Sequence, residues 1–171
     1  MARLRKFSAY RRLERPYTRK SKYKNKSFVK SGAASKIVRY NMGDVKRNFQ
    51  ATLNLVSKDQ LNIRHNALES ARLVANKHLE THLGKGNYYL TLRVYPHHIL
   101  RENPLASGAG ADRMSTGMKK SFGKVIGVAA RIRKGQTIFQ LKVDRSNLKS
   151  ARNALRKAYT KLPGECSITS E

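Results

Sequence analysis

Any compact fold of this chain has to hold together against its own charge. Across 171 residues, 37 Lys and Arg face 10 Asp and Glu, a formal net charge of +27. Self-repulsion on that scale opposes compaction, and a polyanion relieves it; nucleic acid is the commonest such partner. Solubility asks for a net charge of only about 2 to 8 on a small domain, so it does not account for the excess. The excess is also uneven. Residues 1–30 hold twelve basic residues and one acid, Glu14, together with Phe7, Tyr10, Tyr17, Tyr23 and Phe28. A disordered solubilising tail is poor in aromatics. Cations interleaved with rings suit an arm lying on RNA, with cations on phosphates and rings on bases or on the body. Residues 1–35 are read as a basic arm, and 36–171 as a single domain.

Within that domain the apolar residues carry clear periods. Ile37, Val38 and Tyr40 predict a short strand. Phe49, Ala51, Leu53 and Leu55 alternate with Gln50, Thr52 and Asn54, the pattern of a half-buried strand. Leu61 and Ile63 give another short extended piece. Asn66 with Glu69 three residues on has the form of a capping box, followed by Leu68, Ala71, Ala75, Leu79 and His82 on one helical face. Gly84 and Gly86 end that helix. Leu90, Leu92 and Val94 alternate up to Pro96, a further strand. Residues 124–133 and 137–143 alternate on either side of "KGQ", where Gly135 can supply a positive φ; they predict a hairpin. Asp144 or Ser146 caps a last helix with Leu148, Ala151, Leu155, Ala158 and Leu162 at helical spacing, and Lys149, Arg152, Arg156, Lys157 and Lys161 outside. "PG" at 163–164 stops it, and "ECSIT" is a candidate final strand. The fold class is therefore α+β: a mostly antiparallel sheet covered on one face by two amphipathic helices.

Several chemistries are excluded by their own requirements. Cys166 is the only cysteine, so no intrachain disulfide exists. No apolar run approaches the roughly 18 residues of a membrane span, and the basic N-terminus lacks the apolar core of a secretory signal; a cytoplasmic protein is expected. His78 and His82 stand at i and i+4, but a zincin needs Glu directly after the first His. Here Glu80 lies about 200° round the helix from His78, and no third ligand is evident. His97 and His98 are adjacent in extended chain and point to opposite faces. Neither "SGAGADRM" nor "STGMKKS" sets Gly and Lys in the register of a phosphate-cradling loop. No metal, cofactor or catalytic residue is assigned, and the chain is not read as an enzyme.

The stretch from Glu102 to about Lys120 remains, and it is too long to be a bland connection. Its small residues, Gly108, Gly110 and Gly117 among them, let one backbone approach another closely. Arg113 is the one long cation before Lys119 and Lys120, and a guanidinium both binds phosphate bidentately and stacks on a base. The protruding loop, 102–120, is read as a probe entering a crowded RNA cavity.

"RYNMGD" (39–44), "GAGADRMSTGM" (108–118), the "FGK" that follows, and "KLPG" (161–164) closely resemble a universal large-subunit ribosomal protein family, called L-sixteen in bacteria and L-ten-e in archaea and eukaryotes. The resemblance covers essentially the whole chain in order, and its length and ending match the archaeal branch. It implies an α/β hammerhead-type sandwich, binding of large-subunit rRNA below the central protuberance, and a loop pointing toward tRNA near the peptidyl transferase region. It implies a structural role, with neighbouring ribosomal proteins as further partners. Asp112, Arg113 and Met114 fall in the family's loop motif near Gly117; where the bacterial branch follows the Arg-Met pair with Gly, this chain has Ser115.

The residues expected on rRNA are Arg3, Arg5, Lys6, Arg11, Arg12, Arg19, Lys20, Lys22 and Lys24 of the arm, and Arg131, Arg133, Arg152 and Arg156 of the body. The tRNA-proximal set is Gly108, Gly110, Asp112, Arg113, Met114, Gly117, Lys119 and Lys120. A DNA-compacting or regulatory protein is the alternative, and no helix-turn-helix pattern favours it.

Overall fold

The computed structural model describes residues 6, 8–12, 23–26, 33–103, 108–110 and 123–170. In chain order they form β1 (Asn41–Gly43), β2 (Ala51–Ser57), β3 (Leu61–Arg64), α1 (His65–Leu83), β4 (Tyr88–Leu92), β5 (His98–Glu102), β6 (Lys124–Ile132), β7 (Thr137–Val143), α2 (Leu148–Tyr159) and β8 (Cys166–Ser170). The α+β class stands, with two sheets where one was expected. Strands β1-β4-β7-β2-β8 make one antiparallel sheet in that order, and β3-β6-β5 make a second.

The main core lies where α1 and α2 meet the larger sheet. Leu53 and Leu55 of β2 and Phe139 and Leu141 of β7 are wholly buried. They face Leu68, Ala71, Ala75 and Leu79 of α1 and Ala151, Ala154, Leu155 and Ala158 of α2. Alanines on both helix faces keep side chains short at the crossing, so the helices pack closely against each other. The predicted apolar faces thus hold, with one exchange. His82 is exposed, and His78 takes the buried place.

The largest correction concerns the predicted hairpin. The reversal is real: Gly135 has φ +79°, and Gln136 N–H donates to the Arg133 carbonyl. Yet β6 and β7 do not pair. β6 is the centre of the three-stranded sheet, flanked by β3 and β5, while β7 sits between β4 and β2. Both edges of each strand are taken, so the turn becomes a corner between sheets. Its backbone pairs with the end of β2 instead: Gly135 N–H donates to Ser57 O at 2.8 Å, and Ser57 N–H to Gln136 O at 3.0 Å.

Smaller corrections concern a cap and two strands. Neither Asp144 nor Ser146 caps α2, whose N-cap position is Asn147 without a side-chain cap bond; Asp144 Oδ2 accepts from the Arg47 guanidinium at 2.7 Å. A 3-10 turn, Arg145–Asn147, leads into α2 instead. Residues 33–39 form no strand, and the pairing with β4 begins at Asn41. β5 was not expected at all. Gly84 does cap α1, with φ +78° and its N–H on Glu80 O, and β8 pairs with β2.

The capping box is not made either. α1 begins at His65, and Glu69 turns its carboxylate to Arg72, whose Nε donates to Oε2 at 2.8 Å. Glu69 and Arg72 are both mostly buried, 12% and 7% exposed. Glu69 Oε2 also accepts the Val38 N–H at 3.4 Å, and Arg72 Nη1 reaches Met42 Sδ at 3.2 Å. The pair therefore staples residues 38–42 onto α1. The Arg72 hydrogen bonds hold the Glu69 carboxyl below its ordinary pKa, against an opposing effect of burial. A depressed folded value means that the stabilisation is present above the unfolded pKa and is lost as pH falls through the folded one. Arg72→Ala should cost about 3 kcal/mol, because it strands a buried carboxylate. Glu69→Gln should flatten the acid limb of stability below the ordinary glutamate value. Urea unfolding followed across pH checks both.

Candidate nucleic-acid interface

The outer face of α2 concentrates charge. Arg145, Lys149, Arg152 and Arg156 follow one another at spacings of four, three and four, and all are exposed. Such spacing puts Lys149, Arg152 and Arg156 in one column on the helix surface, with Arg145 in the 3-10 turn just before it. The helix Leu148–Tyr159 has no carboxylate of its own, so nothing within it neutralises the column. Like charges at these spacings cost a helix roughly 0.2–0.5 kcal/mol per pair. Lys149 also stands in the first turn, the positive end of the helix dipole, where a cation is disfavoured. A distribution that costs the helix stability has its use outside the helix. Arg152 and Arg156 lie where the sequence placed them; Arg145, one residue past Asp144, was missed because it lies before the periodic stretch.

A second group of cations comes from the arm. Asn62 lies in β3, an edge strand of the smaller sheet. Its backbone N–H donates to Arg11 O at 2.9 Å, and its side-chain amide donates to Tyr10 O at 3.2 Å and Arg12 O at 2.9 Å. The arm thus covers an open strand edge, which is otherwise a template for unwanted pairing. Arg11 and Arg12 are exposed there. Across the ladder Asn62 pairs with Arg131 of the central strand β6, one strand in from the edge on which the arm docks. Arg133, exposed, follows the end of β6, and Lys6 is exposed further along the arm. Lys24 lies in a 3-10 turn, Lys24–Lys26, where Lys26 Nζ stands 5.3 Å over the Tyr23 ring. Arg3, Arg5, Arg19, Lys20 and Lys22 lie outside the described residues.

A groove of about 460 Å³ is lined by Ala9 of the arm, Asn62 and Arg64 of β3, Asn66 at the start of α1, and Thr160 and Lys161 beyond α2. It brings one residue of the arm and one cation beyond α2 to a common depression.

The loop segment follows the β5–β6 ladder, whose last pair is Glu102 with Lys124. Gly123 closes its base with φ +119°; a Cβ there would stand 2.3 Å from the Glu102 carbonyl oxygen. Only glycine fits that approach. Arg101 Nε donates to Gly123 O at 2.9 Å and ties the two stems together. The first residues assigned to the loop, from Glu102, thus belong to its stem. Gly108 and Gly110 are exposed. Asp112, Arg113, Met114, Gly117, Lys119 and Lys120 lie outside the described residues.

The remaining candidate chemistry has internal uses. His78 Nδ1 accepts from Lys157 Nζ at 3.0 Å, and the His82 ring stands 4.1 Å from that of His78. Burial first, then Lys157 and His82, hold the His78 pKa below its ordinary value. No group of three potential metal ligands forms among the described residues. Burial, with Asp59 adding to it, pushes the Cys166 thiol up to about 11, leaving it protonated near neutral pH. No described helix is long and apolar enough to cross a membrane.

Comparison with known proteins gives a consistent result. Residues 14–169 match the family model described as ribosomal protein L16p/L10e. The chain is 45% identical over 166 residues to the large ribosomal subunit protein uL16 of Methanococcus aeolicus, covering 96% of this chain and 92% of the relative. It is 43% identical over 162 residues to uL16 of Archaeoglobus fulgidus, covering 95% of this chain and 90% of the relative.

If the α2 column serves an external partner, removing it should not harm the free protein. The Arg152→Gln, Arg156→Gln double variant, which removes two like-charge pairs, should be as stable as the parent, or more stable by about 0.4–1 kcal/mol at low salt. That gain should fade as salt screens the repulsion. A loss of more than about 1 kcal/mol in chemical unfolding would mean that the guanidinium groups support the fold.

Proposed function

The chain belongs to the ribosomal protein L16p/L10e family, archaeal branch, and we propose that it holds large-subunit rRNA with one continuous basic face while its loop reaches toward tRNA near the peptidyl transferase region. Proteins of this family are structural constituents of the large subunit, so the chain is not an enzyme. The observation that carries the proposal is the exposed cation column of α2, Lys149, Arg152 and Arg156, which has no carboxylate on its own helix. Arg11 and Arg12 of the arm, Arg131 of β6 and Arg133 just past its end are read as further parts of the same basic face. Guanidinium groups in such an array bind phosphate oxygens bidentately. They do so without reading sequence, so the shape of the folded RNA selects the partner.

The arm, residues 1–35, and the loop, 102–120, divide the work. The arm, with Arg3, Arg5, Lys6, Arg11, Arg12, Arg19, Lys20, Lys22 and Lys24, anchors the protein on rRNA. The loop, with Arg113 and Met114 near its tip and Lys119 and Lys120 in its returning limb, faces tRNA. Neighbouring ribosomal proteins complete its surroundings. A DNA-compacting role receives no support from this arrangement, because family membership accounts for the charge.

The electrostatic reading sets a measurable slope. Log affinity for large-subunit rRNA should fall linearly with log salt, by about 0.7 to 0.9 for each phosphate neutralised. A filter-binding titration that finds a slope near zero would overturn it. The division of labour predicts a split. Arg113→Ala should bind rRNA as the parent does, yet slow peptide synthesis by ribosomes assembled with it. An equal loss of rRNA affinity would place Arg113 in the anchor and not in the loop's tRNA-facing role.

A further inference from the structure

One exposed surface comes from residues outside the arm, α2 and the loop segment. After β4, residues 93–97 belong to no helix or strand, and exposure alternates strictly. Arg93, Tyr95 and His97 are exposed, and Val94 and Pro96 between them are buried. The alternation puts a cation, a phenol and an imidazole on the solvent side. A backbone hydrogen bond from His97 N–H to Tyr95 O, 3.0 Å, tightens the segment so that the two rings meet. Their centroids lie 4.4 Å apart, tilted by 44°. On the other side Tyr40 stacks on Tyr95, with centroids 5.4 Å apart and planes within 20°. Tyr40 is held there because its carbonyl accepts the Leu92 N–H at 2.8 Å. The result is a three-ring ladder, Tyr40–Tyr95–His97, built on two backbone segments. Tyr95 nonetheless keeps 52% of its surface in solvent.

A structural role for these rings would bury them, since aromatic side chains contribute to a core chiefly through lost surface. Here Tyr40 supports the ladder from within, and the outer rings are left to water. Arg39 and Arg93 flank the rings in sequence and are exposed. Rings bordered by cations fit a nucleobase with its phosphates better than they fit an apolar partner. We propose that Tyr95 and His97, backed by Tyr40, form a stacking platform for an unpaired nucleobase of RNA, with Arg93 and Arg39 placed for the adjoining phosphates. This rests on the RNA-binding reading above and deepens it, because stacking selects an unpaired base where the cation face selects only backbone.

The test compares the full-length parent with Tyr95→Ala, His97→Ala and Tyr95→Phe in filter binding to large-subunit rRNA extracted from archaeal ribosomes, across a salt series. Removing one stacking ring should weaken binding by about 5- to 150-fold, without changing the slope of log affinity against log salt. Tyr95→Phe keeps the ring and should bind as the parent does. Ultraviolet irradiation of the parent complex should place a nucleotide adduct on the peptide carrying residues 93–97. His97→Ala leaves the Tyr40–Tyr95 stack in place, so its loss of affinity cannot be charged to misfolding. If both alanine variants bind like the parent while the salt slope stays steep, the platform is wrong and the RNA reading stands. If the parent itself shows no salt dependence, both fall.

Discussion

Everything in this structure is arranged around mutual repulsion among 37 basic side chains with 10 acids to offset them. Five of the seven described carboxylates go to internal architecture. Glu69 holds Arg72 against α1, Asp144 holds Arg47, and Glu165 faces Lys58. Asp44 accepts the backbone N–H groups of Lys46 and Arg47, and Asp59 accepts that of Glu165. Each fixes a connection between elements distant in sequence, or a turn. None of these five belongs to α2, whose outer face is left bare. Scarce negative charge is used where it determines the fold, and the cations it leaves uncompensated collect on the surface that meets a polyanion.

That logic also separates what the sequence revealed from what it hid. Helix faces were legible because 3.6-residue periodicity is a property of the segment itself, as Ala151, Leu155 and Ala158 show. Strand identity was legible for the same reason in β2, β4, β6, β7 and β8. Pairing was not. The reversal at Gly135 is a local matter, but the partner of β6 is decided by competition for its two edges, and β3 and β5 win both. The capping box at Asn66 failed likewise, since Glu69 gains more from a buried guanidinium than from a helix N-terminus. β5 was invisible because "HHILRE" is short and mixed, and becomes a strand only beside β6.

The candidate interface was half legible. Composition pointed to Arg152 and Arg156, and the structure places both in an exposed column. It could not show that Asn62 receives the arm, because an asparagine inside a strand carries no signature of a distant backbone partner. Nor could it show the ring ladder. Tyr40 and Tyr95 are 55 positions apart in the chain and meet only because β1 pairs with β4.

The smaller sheet then gains a reason to exist. Its order is β3-β6-β5. The arm docks on β3 through Asn62, and the loop segment runs between β5 and β6. Adjacent strands lie about 4.8 Å apart, so roughly 10 Å of hydrogen-bonded sheet separates the edge that holds the arm from the far stem of the loop. A sheet transmits position because its ladder resists shear, and a one-residue slip would move every side chain to the wrong face. On the proposed reading, rRNA fixes the arm, the arm fixes β3, and two ladders carry that fixed position to the base of the loop. Arg101 and Gly123 tie the two stems together at the end of that path, so the place from which the loop departs is set by the sheet.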